Sequence, residues 1–307
     1  MVIKTRDKKS IDPLLKELVI PSPTSHKGQN GKLLIIGGSS LFHSASIWAA
    51  EIASHFVDIV HYSSTKENNE IFRSLKHKFH NGIVIPQEHL REYVSEDDAI
   101  LMGPGMVRGE IQPGTDSDSM DFEKIVRISD EPTLTYALVD FLIRSYPNKR
   151  FVIDAGALQM LKKDMLLELD VPPILTPHTK EFEDLFSVRI SSLTQKEIVD
   201  CVVTQSFRYR CVILLKMGVD IVTDGVRTCI IEGGNPGLTK GGTGDILAGL
   251  TASFYTKNDA FVSAVFGSYL LKSSSDALFQ SKGYWYNIDD IISIIPFVYK
   301  NIRFGEK

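Results

Sequence analysis

The chain has few cysteines, and the three that it has, Cys201, Cys211 and Cys229, are far apart. They form no Cys-x-x-Cys pair, so the sequence predicts reduced core residues of a cytoplasmic protein. The net charge is −4, so the chain lacks the excess of basic residues that would indicate a nucleic-acid partner. No apolar run approaches the length of a membrane span, and residues 1–9 contain no apolar signal region.

Three well-known motifs are missing as well. The Gly-x-Gly-x-x-Gly pattern does not follow the first predicted strand, which argues against a Rossmann dinucleotide site. The P-loop pattern Gly-x-x-x-x-Gly-Lys-Ser/Thr is absent, and so is the Gly-x-Ser-x-Gly elbow of serine hydrolases. Any nucleotide or hydrolytic chemistry therefore has to come from another arrangement.

Short apolar runs rich in β-branched residues recur along the 307-residue chain. Most are continuously apolar rather than alternating, which is typical of strands buried on both faces of a parallel sheet. Because helical patterns separate the runs, we predict an α/β fold with a mostly parallel central sheet and helices on both faces. The clearest predicted strands are residues 33–36, 59–62, 99–102, 151–153, 174–175 and 212–215.

Capping residues, Asp-Gly turns and glycine-rich stretches predict several further elements. They are a helix from Asp130 to about Ser145, a helix after the capping box Thr194–Glu197, adjacent helices over 243–256 and 258–280, an antiparallel hairpin over 221–231, and a mobile loop over 109–121.

The most informative stretch is Gly241-Gly242-Thr243-Gly244-Asp245, which an apolar run follows at once. A tight turn that enters a helix directs free backbone N–H groups and the positive end of the helix dipole at one point, which suits a phosphate. Asp245 would then stand beside that phosphate, where a general base for a substrate hydroxyl is needed. The alternative is that Asp245 only caps the helix after a glycine turn.

Other residues able to do chemistry follow the predicted strands, at the edge of the sheet where ligands bind in such folds. The segments Gly37-Gly38-Ser39-Ser40 and Gly103-Pro104-Gly105 either let the backbone approach a ligand or are plain turns. Asp154 ends a third strand, where it either orders a metal or a water or, as we favour, caps the next helix.

A fourth strand leads into His178 and Glu181, and a fifth ends at Lys216. His178 is a candidate substrate contact, although a lone histidine is more often structural, and Glu181 is a candidate for holding the water shell of a magnesium ion. Lys216 follows four apolar residues, so it needs an anionic partner unless it reaches the surface. Together, these strand ends favour a ligand site at one sheet edge.

In this order the motifs resemble those of the NAD(P)H-hydrate dehydratases, members of the ribokinase-like superfamily, over roughly residues 25–300. The segment 241–245 is the most specific. The resemblance implies one ribokinase-like domain over residues 1–307 and, because too few residues precede the first strand for an epimerase domain, a stand-alone dehydratase. The other matching segments are Gly37-Gly38-Ser39 with Ala45, Gly103-Pro104-Gly105, Leu175-Thr176-Pro177-His178 with Glu181-Phe182, Lys216, and Gly234-Asn235-Pro236-Gly237.

The function that the resemblance implies is the repair of hydrated NAD(P)H. ADP or ATP provides a phosphate, and the S epimer of the hydrate is dehydrated to NAD(P)H, with AMP or ADP and phosphate released. Asp245 is the implied base, the N–H groups of Gly242, Thr243 and Gly244 stabilise the transferring group, and Mg²⁺ bridges the phosphates.

The resemblance also assigns binding residues. The hydrate would contact Ala45, Gly105, His178 and Asp245, and magnesium would be held by Glu181 through water. The nucleotide would lie along Lys216, Met217, Gly218, Val219, Asp220 and Gly244. The sequence departs from the family pattern at Gly156, Gln159, Thr179, Lys180, Met217 and Lys240, which bears on substrate and nucleotide preference.

Two functions of other classes stay open. One is a small-molecule kinase of the same superfamily, which stops at the phosphorylated product. The other is a nucleotide-binding sensor without catalysis. For all three the expected ligands are small molecules, and the resemblance implies a homo-oligomer.

Overall fold

The computed structural model describes residues 1–113 and 120–305, where the chain builds ten strands. Part of the predicted loop over 109–121 therefore lies outside the described residues. The strands are β1 Val2–Lys4, β2 Lys32–Ile36, β3 Ile59–Ser63, β4 Ile83–Val84, β5 Ala99–Met102, β6 Arg150–Ile153, β7 Ile174–Leu175, β8 Val212–Leu215, β9 Asp220–Thr223 and β10 Thr228–Glu232.

Helices connect most of the strands. They are α1 Asp12–Leu15, α2 Ser44–Ala53, α3 Lys66–Ser74, α4 Leu90–Glu96, α5 Phe122–Ile125, α6 Glu131–Ser145, α7 Ala155–Met160, α8 Thr179–Phe186, α9 Gln195–Tyr209, α10 Thr243–Tyr255, α11 Ala260–Lys282 and α12 Ile288–Phe304. Among the described residues, no helix is long and apolar enough to cross a membrane.

The ten strands form one sheet in the order β1-β10-β9-β8-β7-β6-β5-β2-β3-β4. Of these strands, β9 alone runs antiparallel to its neighbours β8 and β10. The sheet is therefore mostly parallel with one late hairpin, as the sequence predicts. Because the other strands share one direction, their carboxyl ends meet at the same edge.

Both faces of the sheet are covered. In β2, Leu33 and Ile35 join a core built with α2, α10, α11 and α12, whereas Leu34 and Ile36 join a second core built with α6, α7, α8 and α9. This division explains the continuous apolar runs, since successive side chains point to opposite faces and both faces are buried.

The predicted strands and long helices are all present, and the sequence missed β1 and β4. β1 is an edge strand in which only Ile3 is buried, and β4 has two residues. Neither is long or apolar enough to stand out from the surrounding chain. The Asp130 cap and the Thr194 capping box are confirmed, with Asp130 accepting a hydrogen bond from the Thr133 N–H.

Close helix packing fixes the position of α10. Gly249 of α10 lies against α2, and a Cβ placed on it would be 2.7 Å from the Ala49 carbonyl oxygen and 2.7 Å from Ile52 Cγ2. Thus the absence of a side chain at Gly249 lets the two helices approach.

We expect Gly249→Val to lower the free energy of unfolding by about 1–3 kcal/mol, because the added side chain overpacks the α2–α10 contact. Chemical denaturation of both proteins measures the difference. Gly241→Ala is the control, since a Cβ there meets no atom within 4 Å. Equal stability of Gly249→Val and wild type would show that the helices have room to separate.

Candidate active site

The candidate site lies along the carboxyl edge of the sheet, where backbone hydrogen bonds join the strand ends. The Gly103 N–H donates to the Ile36 carbonyl at 3.1 Å, and the Asp154 N–H donates to the Met102 carbonyl at 3.1 Å. The segments after β2, β5 and β6 are thus neighbours. Because these bonds continue the parallel ladders, the strand register itself places the predicted site residues together.

The glycine turns after β2 and β5 form one compact wall. Gly38 has φ +75°, and its N–H donates to the Pro104 carbonyl at 2.7 Å. A Cβ on Gly105 would lie 3.1 Å from Gly38 Cα and 3.2 Å from Ala45 Cβ. Ala45 and Gly105, both predicted to contact the hydrate, therefore lie side by side at the start of α2.

Asp154 and Lys216 form a buried ion pair across the ends of β6 and β8. Lys216 Nζ lies 2.9 Å from Asp154 Oδ1, which also accepts a 2.8 Å hydrogen bond from the Thr176 hydroxyl. The side chains of Asp154 and Lys216 are 2% and 20% exposed. Asp154 occupies the N-cap position of α7 but its side chain makes no capping bond. The predicted cap is therefore wrong, and Asp154 is instead the anionic partner that Lys216 needs.

His178 combines the structural and the functional alternatives. Its Nδ1 accepts the N–H groups of Lys180 and Glu181 at 3.1 and 3.3 Å, which caps α8. Since Nδ1 accepts, the neutral ring carries its proton on Nε2. The side chain is 52% exposed, and Nε2 lies 3.5 Å from Glu181 Oε1. A ligand can therefore reach the ring at its exposed side, while Nδ1 caps the helix.

The turn over residues 241–245 has the shape that the sequence predicts. Gly242 is the N-cap of α10 with φ +101°, a left-handed conformation that favours glycine. The described residues provide no backbone acceptor for the N–H groups of Gly242 and Gly244. By contrast, the Thr243 N–H is directed at the Lys240 carbonyl at 3.4 Å, and its hydroxyl donates to Leu238 and Lys240. Thr243 therefore stabilises the turn, whereas the backbone N–H groups of Gly242 and Gly244 are free to bind a ligand.

Asp245 lies in the first turn of α10, and its environment favours the protonated acid. The pKa of Asp245 is raised to about 7, mainly by burial and also by the negative charge of Asp154, while Lys216 acts in the opposite direction. For Lys216, burial lowers the pKa, but the charges of Asp154, Glu181 and Asp245 outweigh it, so the net shift is upward and Lys216 stays cationic. A carboxyl group with a pKa near neutrality is suited to general base catalysis.

Residues 216–220 form the turn from β8 to β9, where the nucleotide is predicted to lie. A Cβ on Gly244 would be 3.6 Å from Lys216 Nζ, so this turn adjoins the start of α10. Met217 and Val219 are partly exposed and Gly218 is exposed. Asp220 is buried, and its carboxylate accepts the Met217 N–H and the Ser268 hydroxyl. Its side chain thus supports the turn from behind rather than facing a ligand.

Several departures from the family pattern have local explanations. A Cβ on Gly156 would lie 2.0 Å from the Met106 carbonyl oxygen, so backbone fills the place of a longer side chain. Gln159 bonds Arg108 and donates to Glu181 Oε1 at 2.6 Å.

Two of the residues that differ from the family pattern are lysines, and both contact other groups of the protein. Lys180 pairs with Asp184 at 2.5 Å. Lys240 bonds the Tyr284 carbonyl and lies 4.9 Å above the Tyr286 ring centroid. Nothing in the structure explains Thr179 or Met217.

The donors at the site fit a magnesium ion that arrives with nucleotide phosphates. Among residues 1–113 and 120–305, no group of three or more His, Cys, Asp or Glu is placed to hold a metal. Mg²⁺ keeps several waters and binds through one or two carboxylates plus substrate phosphates. Both oxygens of Glu181 already accept protein N–H groups, whereas Asp154 Oδ2 receives no hydrogen bond from the described residues. Asp154 therefore fits a direct contact, and Glu181 stays a prediction for contact through water.

A cavity of about 660 Å³ opens beside His178 and Glu181 and is lined by residues of α7 and α8, but by none of residues 216–220 or 241–245. The sequence analysis did not identify Thr176 or Lys272 of α11 as residues that support the site. The signal for Lys272 was a lysine that directly follows a mostly apolar stretch of α11, residues 260–271, all of which are buried.

Comparisons with known proteins identify relatives of this chain. A family model described as NAD(P)H-hydrate dehydratase matches residues 33–297. The chain is 30% identical to an ADP-dependent (S)-NAD(P)H-hydrate dehydratase of Cenarchaeum symbiosum, over 90% of this chain and 91% of that protein. It is 32% identical to a bifunctional NAD(P)H-hydrate repair enzyme of Methanocaldococcus jannaschii, over 93% of this chain and 51% of that protein.

The chain spans about half the length of the bifunctional relatives that it matches. In fold it is similar to an ADP/ATP-dependent NAD(P)H-hydrate dehydratase of Bacillus subtilis crystallised with ATP and Mg²⁺, with a TM-score of 0.78, 19% identity and coverage of 98% and 99% of the two chains. The predicted ribokinase-like fold is confirmed. From its sequence match over residues 33–297, the chain belongs to the NAD(P)H-hydrate dehydratase family.

Proposed function

We propose that this chain catalyses the nucleotide-dependent dehydration of the S epimer of hydrated NAD(P)H back to NAD(P)H. ADP is the phosphate donor favoured by the name of the Cenarchaeum relative, and ATP is the other candidate. The observation that carries the proposal is the position of Asp245 beside the free N–H groups of Gly242 and Gly244, since burial and the charge of Asp154 together raise the pKa of its carboxyl group to about 7.

In the first half of the reaction, Asp245 accepts the proton of the hydrate's hydroxyl group. The oxygen then bonds to the terminal phosphorus of the nucleotide, and the bond from that phosphorus to the bridging oxygen breaks. The N–H groups of Gly242 and Gly244 stabilise negative charge on the transferring group. Lys216 remains cationic beside them because Asp154 holds its charge.

In the second half, phosphate is the leaving group. The ring nitrogen's lone pair expels it as the C–O bond breaks, the released phosphate takes a proton from the neighbouring carbon, and the double bond of the dihydronicotinamide returns. His178 Nε2–H and the small Ala45–Gly105 wall would hold the ring during these steps. Magnesium, when bound with the nucleotide, neutralises phosphate charge.

One assay separates this function from the other two. Hydrated NADH is incubated with magnesium and either ADP or ATP, and absorbance and nucleotide products are followed together. Recovery of dihydronicotinamide absorbance with release of AMP or ADP supports the dehydratase. A stable phosphoester would mean a kinase, and nucleotide binding without turnover would mean a sensor.

Replacing the base is the direct test of Asp245. We expect Asp245→Asn to lower kcat by about 100-fold or more, the contribution of a positioned general base. The matched control is Asp289→Asn, which also changes an aspartate in the first turn of a helix but one that is exposed. Wild-type turnover by folded Asp245→Asn would remove Asp245 from the mechanism.

The rate should depend on pH through the same group. Since Asp245 must be ionised to accept a proton and its pKa is raised to about 7, kcat/KM should fall as the pH drops below about 7 and level off above it. Asp154→Asn removes a negative charge that raises the pKa of Asp245. The acidic limb of the pH–rate profile of this variant should therefore move to lower pH. A pH–rate profile in which Asp154→Asn leaves that limb in place would assign it to another group.

The hydrate pocket is tested at Ala45. Because Ala45 Cβ adjoins Gly105, Ala45→Leu should fill the space of the dihydronicotinamide and weaken NADPH binding by about tenfold or more, as overpacking costs of 1–3 kcal/mol imply. Binding of ADP, at the β8–β9 turn, should be nearly unchanged. Calorimetric titrations with each ligand measure this, with Ala45→Gly as the control. Equal loss of both ligands would place Ala45 in the support of the fold instead.

A further inference from the structure

Lys272 is a buried lysine on α11, with 5% of the residue exposed, and the mechanism above does not use it. Burying an ammonium group is costly unless it is paired and hydrogen-bonded. Lys272 Nζ lies 3.0 Å from the Gly218 carbonyl oxygen, 3.4 Å from that of Met217, and 3.4 Å from that of Gly233. Asp220 Oδ1 completes the set at 3.4 Å.

These oxygens come from two separate parts of the chain. Met217 and Gly218 belong to the turn between β8 and β9, where the nucleotide is proposed to lie, whereas Gly233 follows β10 and begins the segment that leads to the turn at 241–245. Lys272 therefore joins the proposed nucleotide turn to the segment that precedes α10. No backbone hydrogen bond among the described residues links the Met217–Gly218 turn to Gly233.

Neighbouring residues on the same helix strengthen this connection. Ser268 donates to Asp220 Oδ2 at 2.6 Å, and Asp276 Oδ2 accepts the Gly234 N–H at 3.2 Å. The Asn235 side chain donates to the Ser275 hydroxyl at 2.7 Å. Because residues 268, 272, 275 and 276 share one side of a helix, α11 presents a polar stripe to both segments.

The surroundings of the ammonium group resemble a cation site. Converging carbonyl oxygens that replace a hydration shell are the usual ligands of dehydrated monovalent cations in proteins. Three carbonyl oxygens and one carboxylate surround Nζ. The lysine thus supplies, through a covalent tether, what a free monovalent ion would supply.

We propose that Lys272 is a positioning residue of the nucleotide site, whose ammonium group acts as a tethered monovalent cation that holds the Met217–Gly218 turn against the Gly233 segment. The proposal rests on the proposed function only in that a nucleotide binds along residues 216–220. Lys272 holds the Met217–Gly218 turn in one conformation and does not contact the reacting atoms.

Lys272→Ala removes the ammonium group and leaves its ligands in place. Calorimetry in tetramethylammonium chloride should then show ADP and ATP binding weakened by about tenfold or more, the effect of losing charge-assisted hydrogen bonds. Potassium or ammonium chloride at the same ionic strength should restore much of the affinity, because these ions fit the vacated ligands. Wild type should bind nucleotide equally well in all three salts. At saturating nucleotide, kcat and the KM for the hydrate should be close to wild type.

The control is Lys282→Met, on the same helix, where the lysine is exposed and pairs with Asp290 at 2.5 Å. It should change neither nucleotide affinity nor its salt dependence.

A second variant applies if Lys272→Ala does not fold. Lys272→Met combined with Asp220→Asn leaves no unpaired carboxylate, and the nucleotide affinity of this double variant is compared with that of Asp220→Asn alone.

The outcomes separate the two proposals. Wild-type affinity in folded Lys272→Ala, or a weakened affinity that potassium and ammonium leave unchanged, would overturn the role of Lys272 while leaving the proposed function intact. Loss of folding in every Lys272 variant would show a purely structural role and overturn it too. Wild-type protein that binds neither ADP nor ATP would overturn the proposed function, and the positioning role with it.

Discussion

The ion pair between Asp154 and Lys216 is the interaction on which the rest of the site depends. It spans the ends of β6 and β8, with the Thr176 hydroxyl from the end of β7 bound to the same carboxylate oxygen. Breaking a buried pair by removing one partner typically costs about 3–5 kcal/mol, because a charge is left without compensation. The pair therefore keeps a cation beside the turn at 241–245 and holds three strand ends together in one surface.

The same pair sets the electrostatic conditions for Asp245. Its carboxyl group is subject to burial, to the negative charge of Asp154 and to the positive charge of Lys216, and the first two prevail. A lone aspartate at the start of a helix would favour the ionised form, since the helix dipole attracts negative charge. Two carboxyl groups that share one lysine thus have different tasks: Asp154 keeps the lysine charged, and Asp245 is left near the pKa that proton transfer requires.

Much of this arrangement could be predicted from the sequence, and the gaps have physical causes. The parallel sheet, the β9–β10 hairpin and the turn at 241–245 follow from local patterns, because apolar runs, Asp-Gly turns and glycine before a helix act over a few residues. The pairing of Asp154 with Lys216 joins residues 62 positions apart, and no local signal separates a capping aspartate from a paired one. Likewise, Asp220 was assigned to the ligand side of its turn, but strand register and α11 bury it.

The close contact of α2 and α10 has a consequence for how such a site can evolve. Ala45 begins α2 and Asp245 begins α10, and Gly249 brings the two helices together with no side chain between them. Trp48 of α2 also lies against Gly242, where a Cβ would be 2.8 Å from its ring. A backbone shift that enlarged the proposed hydrate pocket at Ala45 would therefore displace Asp245 and the N–H groups of Gly242 and Gly244 as well. Under the proposed function, a new substrate would be accommodated mainly by exchanging single side chains on a fixed backbone, so substrate selectivity could diverge among descendants while the turn at 241–245 stayed unchanged.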